Sequence, residues 1–411
     1  FQGYRYNIDK VSNYDAVITP PYDVISDEER ARLAAGSPAN LVHALLPQAN
    51  DTEDKYAAAR TVINQWIQDG TLQQEDKPAY FLLRQQFTDL EGQHQTRCGF
   101  FAAIKLPEEG EHYVLGHERT FQGPVDDRIK LTEATEANLG AVFCLYNDHT
   151  QALKNFMGQM DTRDPDGIAH TIDGVTQEFW IVEDDPSVNE FFQGQTLYIA
   201  DGHHRFQTAC AYRDAQRIAN PDAGTRPYDY ALMGFVAFDD PGLKIYPPHR
   251  VVELPGDFDA DAFMESLAKW FTIEAIEDGL TDQVETAPGE CVMGIVLPGK
   301  PDHLLTLKEG DRVPFLGDDR GPSWRDLDVA VLHRGIIANI MGIPEETKHS
   351  YEKSLEGALA AGNRGDSIAF ILRATKASQI CACAEAGEPM PQKSTYFFPK
   401  LPSGVVIHRL R

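Results

Sequence analysis

The densest chemistry in the chain lies in one short run, Asp201-Gly202-His203-His204-Arg205, directly after the apolar stretch Leu197-Tyr198-Ile199-Ala200. The pattern predicts a strand, a tight turn and the start of a helix. Unsatisfied N–H groups and the helix dipole at such an N-terminus attract an anion. Gly202 lets the backbone approach closely, and the Arg205 guanidinium can grip phosphate oxygens with two parallel hydrogen bonds. Asp201 can hold a magnesium ion or take a proton. Adjacent histidines point in different directions, so His203 and His204 do not share one metal. The same residues would also serve as a helix cap with surface histidines; their density favours a site.

Four other clusters offer companions. His117-Glu118-Arg119-Thr120 follows Tyr113-Val114-Leu115, and a Glu at a strand end can act as a general base or a magnesium ligand. No second His follows at helical spacing, so this is not a zinc helix. Asp126-Asp127-Arg128-Ile129-Lys130 reads as a helix start with acidic residues in its first turn, from which Arg128 can reach a phosphate. Pro247-Pro248-His249-Arg250 ends a strand and repeats the His-Arg pairing. Met390 to Thr395 places Lys393 in an extended segment. Each of these also reads as an ordinary solvated surface. Walker-type, dinucleotide-binding, protein-kinase and Gly-x-Ser-x-Gly signatures are missing, as is a zinc-ligand cluster.

The elements that must position these residues are mixed. A capping box, Ser26-Asp27-Glu28-Glu29, opens a short helix. Lys55 to Asp69 has helical periodicity and stops at Gly70. Ala79–Phe87 and Arg97–Leu106 read as a hairpin, as do Ala169–Ile172 and Thr176–Val182 around Asp173-Gly174. Strands follow at Leu197–Ala200 and Tyr230–Phe238, with a helix at Phe206–Ile218 between them. Further on come a helix at Ala260–Phe271, a strand at Cys291–Leu297, helices at Val329–Met341 and Glu352–Ala361, and a strand at Ser367–Leu372. This is an α+β pattern of mixed sheets with flanking helices. It divides into an N-terminal extended and helical segment (1–75), a central core carrying the 201–205 turn (76–250), a second α+β region (251–345) and a C-terminal segment packing back on the core (346–411).

With 37 Lys and Arg against 63 Asp and Glu, the net charge of −26 repels polyanions, which argues against nucleic acid and anionic membranes as partners. A small anion remains compatible with a locally basic pocket. No apolar stretch reaches the length of a spanning helix, and the first residues do not read as a signal peptide. The six cysteines are scattered in apolar runs and read as reduced, buried small hydrophobes. A cytoplasmic protein is expected.

Several separated motifs carry a family resemblance. Phe1 to Tyr6, Pro20 to Ile25, His117 to Thr120, Ala200 to Arg205, Pro248 to Arg250, Leu327 to His333 and Met390 to Thr395 resemble domain-of-unknown-function family 1015. The Asp-Gly-His-His-Arg motif is similar to one in the ParB/sulfiredoxin superfamily, whose free serine kinases move a phosphoryl group from ADP or ATP to the hydroxyl of L-serine. The resemblance implies a ParB/sulfiredoxin-like nucleotide-binding core, with Gly202, His203, His204 and Arg205 cradling nucleotide phosphates. It further implies Asp201, His203 and Glu118 in catalysis, and magnesium at Asp201 and Glu118 together with ATP or ADP. His117, Arg119, Thr120, Arg128, His249, Arg250 and Lys393 stand as accessory or substrate-binding candidates. The expected activity is phosphorylation of a small metabolite, most simply free serine. A nucleotide-binding regulatory protein and a nucleotide or phosphate-ester hydrolase are the alternatives.

Overall fold

In a computed structural model the chain is described at every residue except Glu346 and Lys348. It divides into two compact units. The first comprises residues 1–116, 120–244 and 399–411; the second comprises 117–119 and 245–398.

The first unit is built on an eight-stranded mixed sheet. Its strand order is Val114–Leu115, Leu197–Asp201, Val142–Tyr146, Tyr230–Ala237, His94–Lys105, Ala79–Thr88, Thr176–Glu183 and Gly167–His170. Pairing is antiparallel except where Leu197–Asp201 meets Val114–Leu115 and where Tyr230–Ala237 meets Val142–Tyr146. The long hairpin Ala79–Thr88/His94–Lys105 pairs two apolar runs, Ala79–Leu83 and Gly99–Ile104, whose chains reverse at the Asp89 turn. Leu82, Phe100, Cys144, Met233, Phe235 and Ile199 share one buried face of this sheet, packed against the helix His203–Ala219 through Ala209. The helix Lys55–Gln68 starts at Asp54, whose carboxylate accepts from Tyr56 N and Ala57 N. The expected capping box at Ser26 is formed.

The chain ends are part of this unit. Ile407 exchanges backbone hydrogen bonds with Tyr4, Ser403 with Thr19, and His408–Arg409 pairs with Ala137–Asn138. A contact order this long could not be read from local patterning.

The second unit carries a six-stranded, wholly antiparallel sheet in the order Phe271–Ile276, Asp302–Leu307, Val292–Val296, Ser367–Leu372, His249–Glu253 and Ser350–Glu352. Ser367–Leu372 matches its expected bounds, being buried on both faces. Three expectations shift, the expected helix Glu352–Ala361 running from Leu355 to Gly362 with Glu352 in a strand. The 260 helix stops at Leu267, and Phe271 begins a strand instead. The 329–341 helix is α-helical only over Asp328–Ala330, then becomes a π-helix from Val331 to Ile340. Gly335 within it abuts Phe315, where a Cβ would fall 2.4 Å from the ring.

The α+β class with mixed sheets and flanking helices therefore holds. Among the described residues no helix is long and apolar enough to cross a membrane.

Candidate functional site

The strand Leu197–Asp201 is buried through Ala200, and its register against Val142–Tyr146 shifts between Ile199 and Asp201. Gly202 follows at φ 92°, ψ 29°, a left-handed conformation that favours glycine, and caps the seventeen-residue helix His203–Ala219. A Cβ at Gly202 would fall 2.9 Å from Arg205 Cζ, so the bare backbone also makes room for the guanidinium. The expected helix began at Phe206; the observed one starts three residues earlier, which places both histidines and Arg205 in its first turn.

Asp201 is the hub of the turn. Its Oδ2 accepts from Arg205 Nη2, and its Oδ1 accepts from Lys400 Nζ at 2.5 Å. The three side chains are only 12–15% exposed. Burial alone would raise the Asp201 pKa, but the charges of Lys400 and Arg205 outweigh it and hold the carboxyl well below its ordinary range. Arg205 Nη1 donates to the Ala141 carbonyl, while its buried Nε has no hydrogen-bond partner. Burial opposes the Arg205 charge, and Asp201, Asp23 and Tyr22 more than restore it.

The two histidines diverge as expected. His203 is buried, with its ring against Gly116, where a Cβ would lie 2.9 Å from His203 Cδ2. His204 is half-buried; its Nε2 accepts from Phe121 N at 3.0 Å, which puts the proton of the neutral ring on Nδ1. The His204 ring stacks on Phe121, and Thr120 Oγ1 donates to Gln207 Oε1. One face of the 203–219 helix thereby fastens the entry to the helix Gln122–Thr135.

That second helix begins four residues before Asp126, so the acidic pair lies beyond the first turn, and Asp127 serves cations instead. Asp127 accepts from Lys55 Nζ at 2.6 Å, Tyr56 Oη at 2.8 Å and Arg128 Nε at 3.0 Å. Burial would raise its pKa; Lys55 and Arg128 pull it down below the usual carboxylate range. Arg128 donates to Leu45 O and lies 4.4 Å over the Tyr22 ring. Between Arg128 and Arg205 is a cavity of about 50 Å³, also lined by Tyr22, Thr132, Asn138 and Thr208. It holds a few waters or one small chemical group, not a nucleotide. Thr208 Oγ1, buried in its wall, has no hydrogen-bond partner.

The first unit thus brings together Asp201, Gly202, His203, His204, Arg205, Thr120 and Arg128. Sequence reasoning missed Lys400 and Tyr22, and read Asp127 only as a first-turn acid. Lys400 stands 199 residues from Asp201, and its signal was a lysine flanked by prolines in Pro399-Lys400-Leu401-Pro402.

The remaining candidates belong to the second unit. His117 is buried, with Nε2 3.3 Å from Thr395 Oγ1, and its carbonyl accepts from Met390 N. Glu118 is half-buried and Arg119 exposed. His249 Nδ1 accepts from Leu372 N, and burial and then the Arg250 charge lower its pKa to about 4. Arg250, fully buried, donates to His333 Nε2 at 2.9 Å and to the carbonyls of Pro248, Gln392 and Lys393. Lys393 contributes that carbonyl from a left-handed residue (φ 55°), with its side chain exposed.

The magnesium expectation finds no prepared protein site. Both Asp201 oxygens are engaged by cations, and among the described residues no group of three or more His, Cys, Asp or Glu is placed to hold a metal.

Among solved structures the chain is similar to a free serine kinase in complex with AMP, at 14% identity over 76% of this chain and 91% of that one, with a TM-score of 0.37. It is also similar to a conserved hypothetical protein from Pyrococcus furiosus (15% identity, 74% and 94% covered, TM-score 0.35). A third is C-terminally truncated SbnI from Staphylococcus aureus (10% identity, 74% and 86% covered, TM-score 0.37). No curated protein matches the sequence. The family model described as "Protein of unknown function (DUF1015)" matches residues 1–330, and with the motifs around Pro20, His117, Asp201 and Pro248 all inside that span, the chain belongs to this family.

Proposed function

We propose that this protein is a nucleotide-dependent phosphotransferase that moves a phosphoryl group from ATP or ADP to the hydroxyl of a small metabolite, free L-serine being the simplest acceptor. The observation that carries the reading is the convergence of Lys400 and Arg205 on one ionised carboxylate at a helix N-terminus that starts on a left-handed glycine. Two cations contact the Asp201 carboxylate directly, Asp23 acts on Arg205 by charge alone, and the helix dipole adds positive potential at this N-terminus. The neighbouring set of Lys55 and Arg128 around Asp127 likewise joins two cations to one carboxylate.

Phosphoryl transfer asks for positioning and charge neutralisation more than covalent help. The acceptor oxygen bonds to the terminal phosphorus while the bond from phosphorus to the bridging oxygen breaks, and that electron pair leaves with the nucleotide product. Asp201 is a poor proton acceptor because two cations hold it ionised; its part is to position Lys400 and Arg205. The acceptor's proton is assigned to Glu118, a role that comes from the family resemblance.

Incubation with ATP or ADP and serine, followed by a mass search for phosphoserine, tests the reading. Glu118→Gln is expected to abolish turnover with nucleotide affinity unchanged. Nucleotide binding with no phosphorylation across a panel of amino acids and polyols would overturn it, and phosphate release without any acceptor would mark a hydrolase.

A further inference from the structure

A second cavity of the first unit lies away from the turn. It measures about 590 Å³, within the range of small-molecule sites, and opens between the start of the strand Leu197–Asp201 and the helix Pro186–Phe192. Phe100, Phe192 and Phe235 tile one wall: Phe100 and Phe235 are stacked at 5.0 Å between centroids, and Phe192 lies 6.0 Å from the first and 5.3 Å from the second. Tyr80 continues the wall and donates to Asn189 Oδ1 at 3.3 Å. Gln193, Gly194 and Gln195 form the rim.

The charge of the lining is one-sided. It contains no Lys or Arg; Glu111 is its one carboxylate and His112 its one imidazole. Glu111 is exposed and oriented by its own turn, where Oε2 accepts from Glu108 N at 2.9 Å. A nucleotide finds nothing here to balance its phosphates. A ring that stacks on aromatic walls, with a positive nitrogen at the mouth, meets both the quadrupoles of the rings and the carboxylate. The cavity reaches Leu197, whereas the phosphate-type cluster begins at Asp201. Four residues of strand put these about 13 Å apart, too far for one small acceptor to occupy both.

We propose that this cavity is a second ligand site, which binds a small alkylamine carrying a planar aromatic ring, in its protonated form, with the ring against the half-buried Phe192 that the core pair Phe100 and Phe235 backs, and the ammonium at Glu111. The site is independent of the phosphotransferase reading.

Calorimetric titration of the full chain at pH 8 with tryptamine, neutral indole and indole-3-acetate tests it. Tryptamine is expected to bind about tenfold more tightly than indole-3-acetate, with indole between them. Glu111→Gln, at an exposed position, should bring the three within about twofold while leaving indole's affinity unchanged. Ala102→Trp, which enters the cavity from the sheet face that also carries Phe100, should abolish binding of all three. Equal affinity for the amine and the acid, a preference that survives Glu111→Gln, or no heat from any of the three at millimolar concentration would each overturn the proposal.

Discussion

Two His-Arg pairs, His204-Arg205 and His249-Arg250, look alike in sequence and do opposite things. Arg205 faces a carboxylate that it shares with Lys400, and its own charge is reinforced. Arg250 faces three carbonyls, the His333 ring nitrogen and the face of Tyr351, with no carboxylate among the described residues in its hydrogen-bond shell. Burial lowers its pKa to about 10, with only Tyr351 opposing. A cation that shares one carboxylate with a second cation at a helix N-terminus can face an incoming anion. A cation that spends its donors on backbone carbonyls is a clamp: Arg250 ties the 390–394 segment to the strand His249–Glu253. The dipeptide does not decide the role; the partner set does.

Acid should separate the two regions most. His249 and His333 have pKa values lowered to about 4 and about 3 by burial, then by Arg250, from an ordinary 6.5. Below pH 6.5 the unfolded chain binds protons that the folded second unit refuses, so stability is full above that pH and declines as the pH falls toward 4. Each histidine contributes on the order of 3 kcal/mol to the decline. In the first unit His408 behaves alike, lowered to about 4 by burial. Asp201 works in a different window: its depressed pKa stabilises above the ordinary carboxylate range, and that contribution is lost only below it. Pulse proteolysis in urea at pH 7 and at about pH 4.5, with cleavage sites mapped by mass, should show the second unit opening first. Equal loss in both units would erase the distinction.

Arg250→Met is the next largest change. It removes a charged donor from three buried carbonyls and from His333, and should destabilise the second unit by about 3–5 kcal/mol in urea melts, with nucleotide affinity unaltered. A melt within error of wild type would mean that Arg250 is not the clamp. Arg205→Ala reverses the pattern. It should weaken nucleotide binding by about 1.5–3 kcal/mol, the scale of a charge-assisted contact, while Lys400 keeps Asp201 paired. Unchanged affinity in calorimetry would remove Arg205 from the phosphate site.

The legible part of the site was local. An apolar strand, a glycine and a polar helix start at 197–205 specify their own geometry, so Asp201 through Arg205 fell where their types implied. Lys400 and Tyr22 were invisible because long-range pairing such as Ser403 on Thr19 brings them in, and no periodicity encodes that; Asp127 was in view, but as a first-turn acid rather than as the partner of Lys55 and Arg128. The same limit applied to the fold. Ser367–Leu372 and the Ala79–Thr88 strand carry their own pattern, whereas the π-helix at 331–340 has the apolar spacing of an ordinary helix and departs from it where Gly335 meets Phe315.

Lys393 gives the smallest and sharpest test, because sequence and structure assign its function to different atoms. From sequence, its ammonium was a candidate for phosphate charge. In the structure the side chain is exposed, and the carbonyl accepts from Arg250 Nη2 at 3.0 Å while the residue sits at φ 55°. A non-glycine residue in that region is strained by about 1–2 kcal/mol, part of which is offset because glycine makes the unfolded chain more flexible. Lys393→Gly keeps the carbonyl and relieves the strain, so a gain of less than about 1 kcal/mol in urea melts is expected, with nucleotide affinity unchanged. A loss of affinity in calorimetry would instead return Lys393 to the phosphate site by its side chain, and would show that the second His-Arg region does more than clamp.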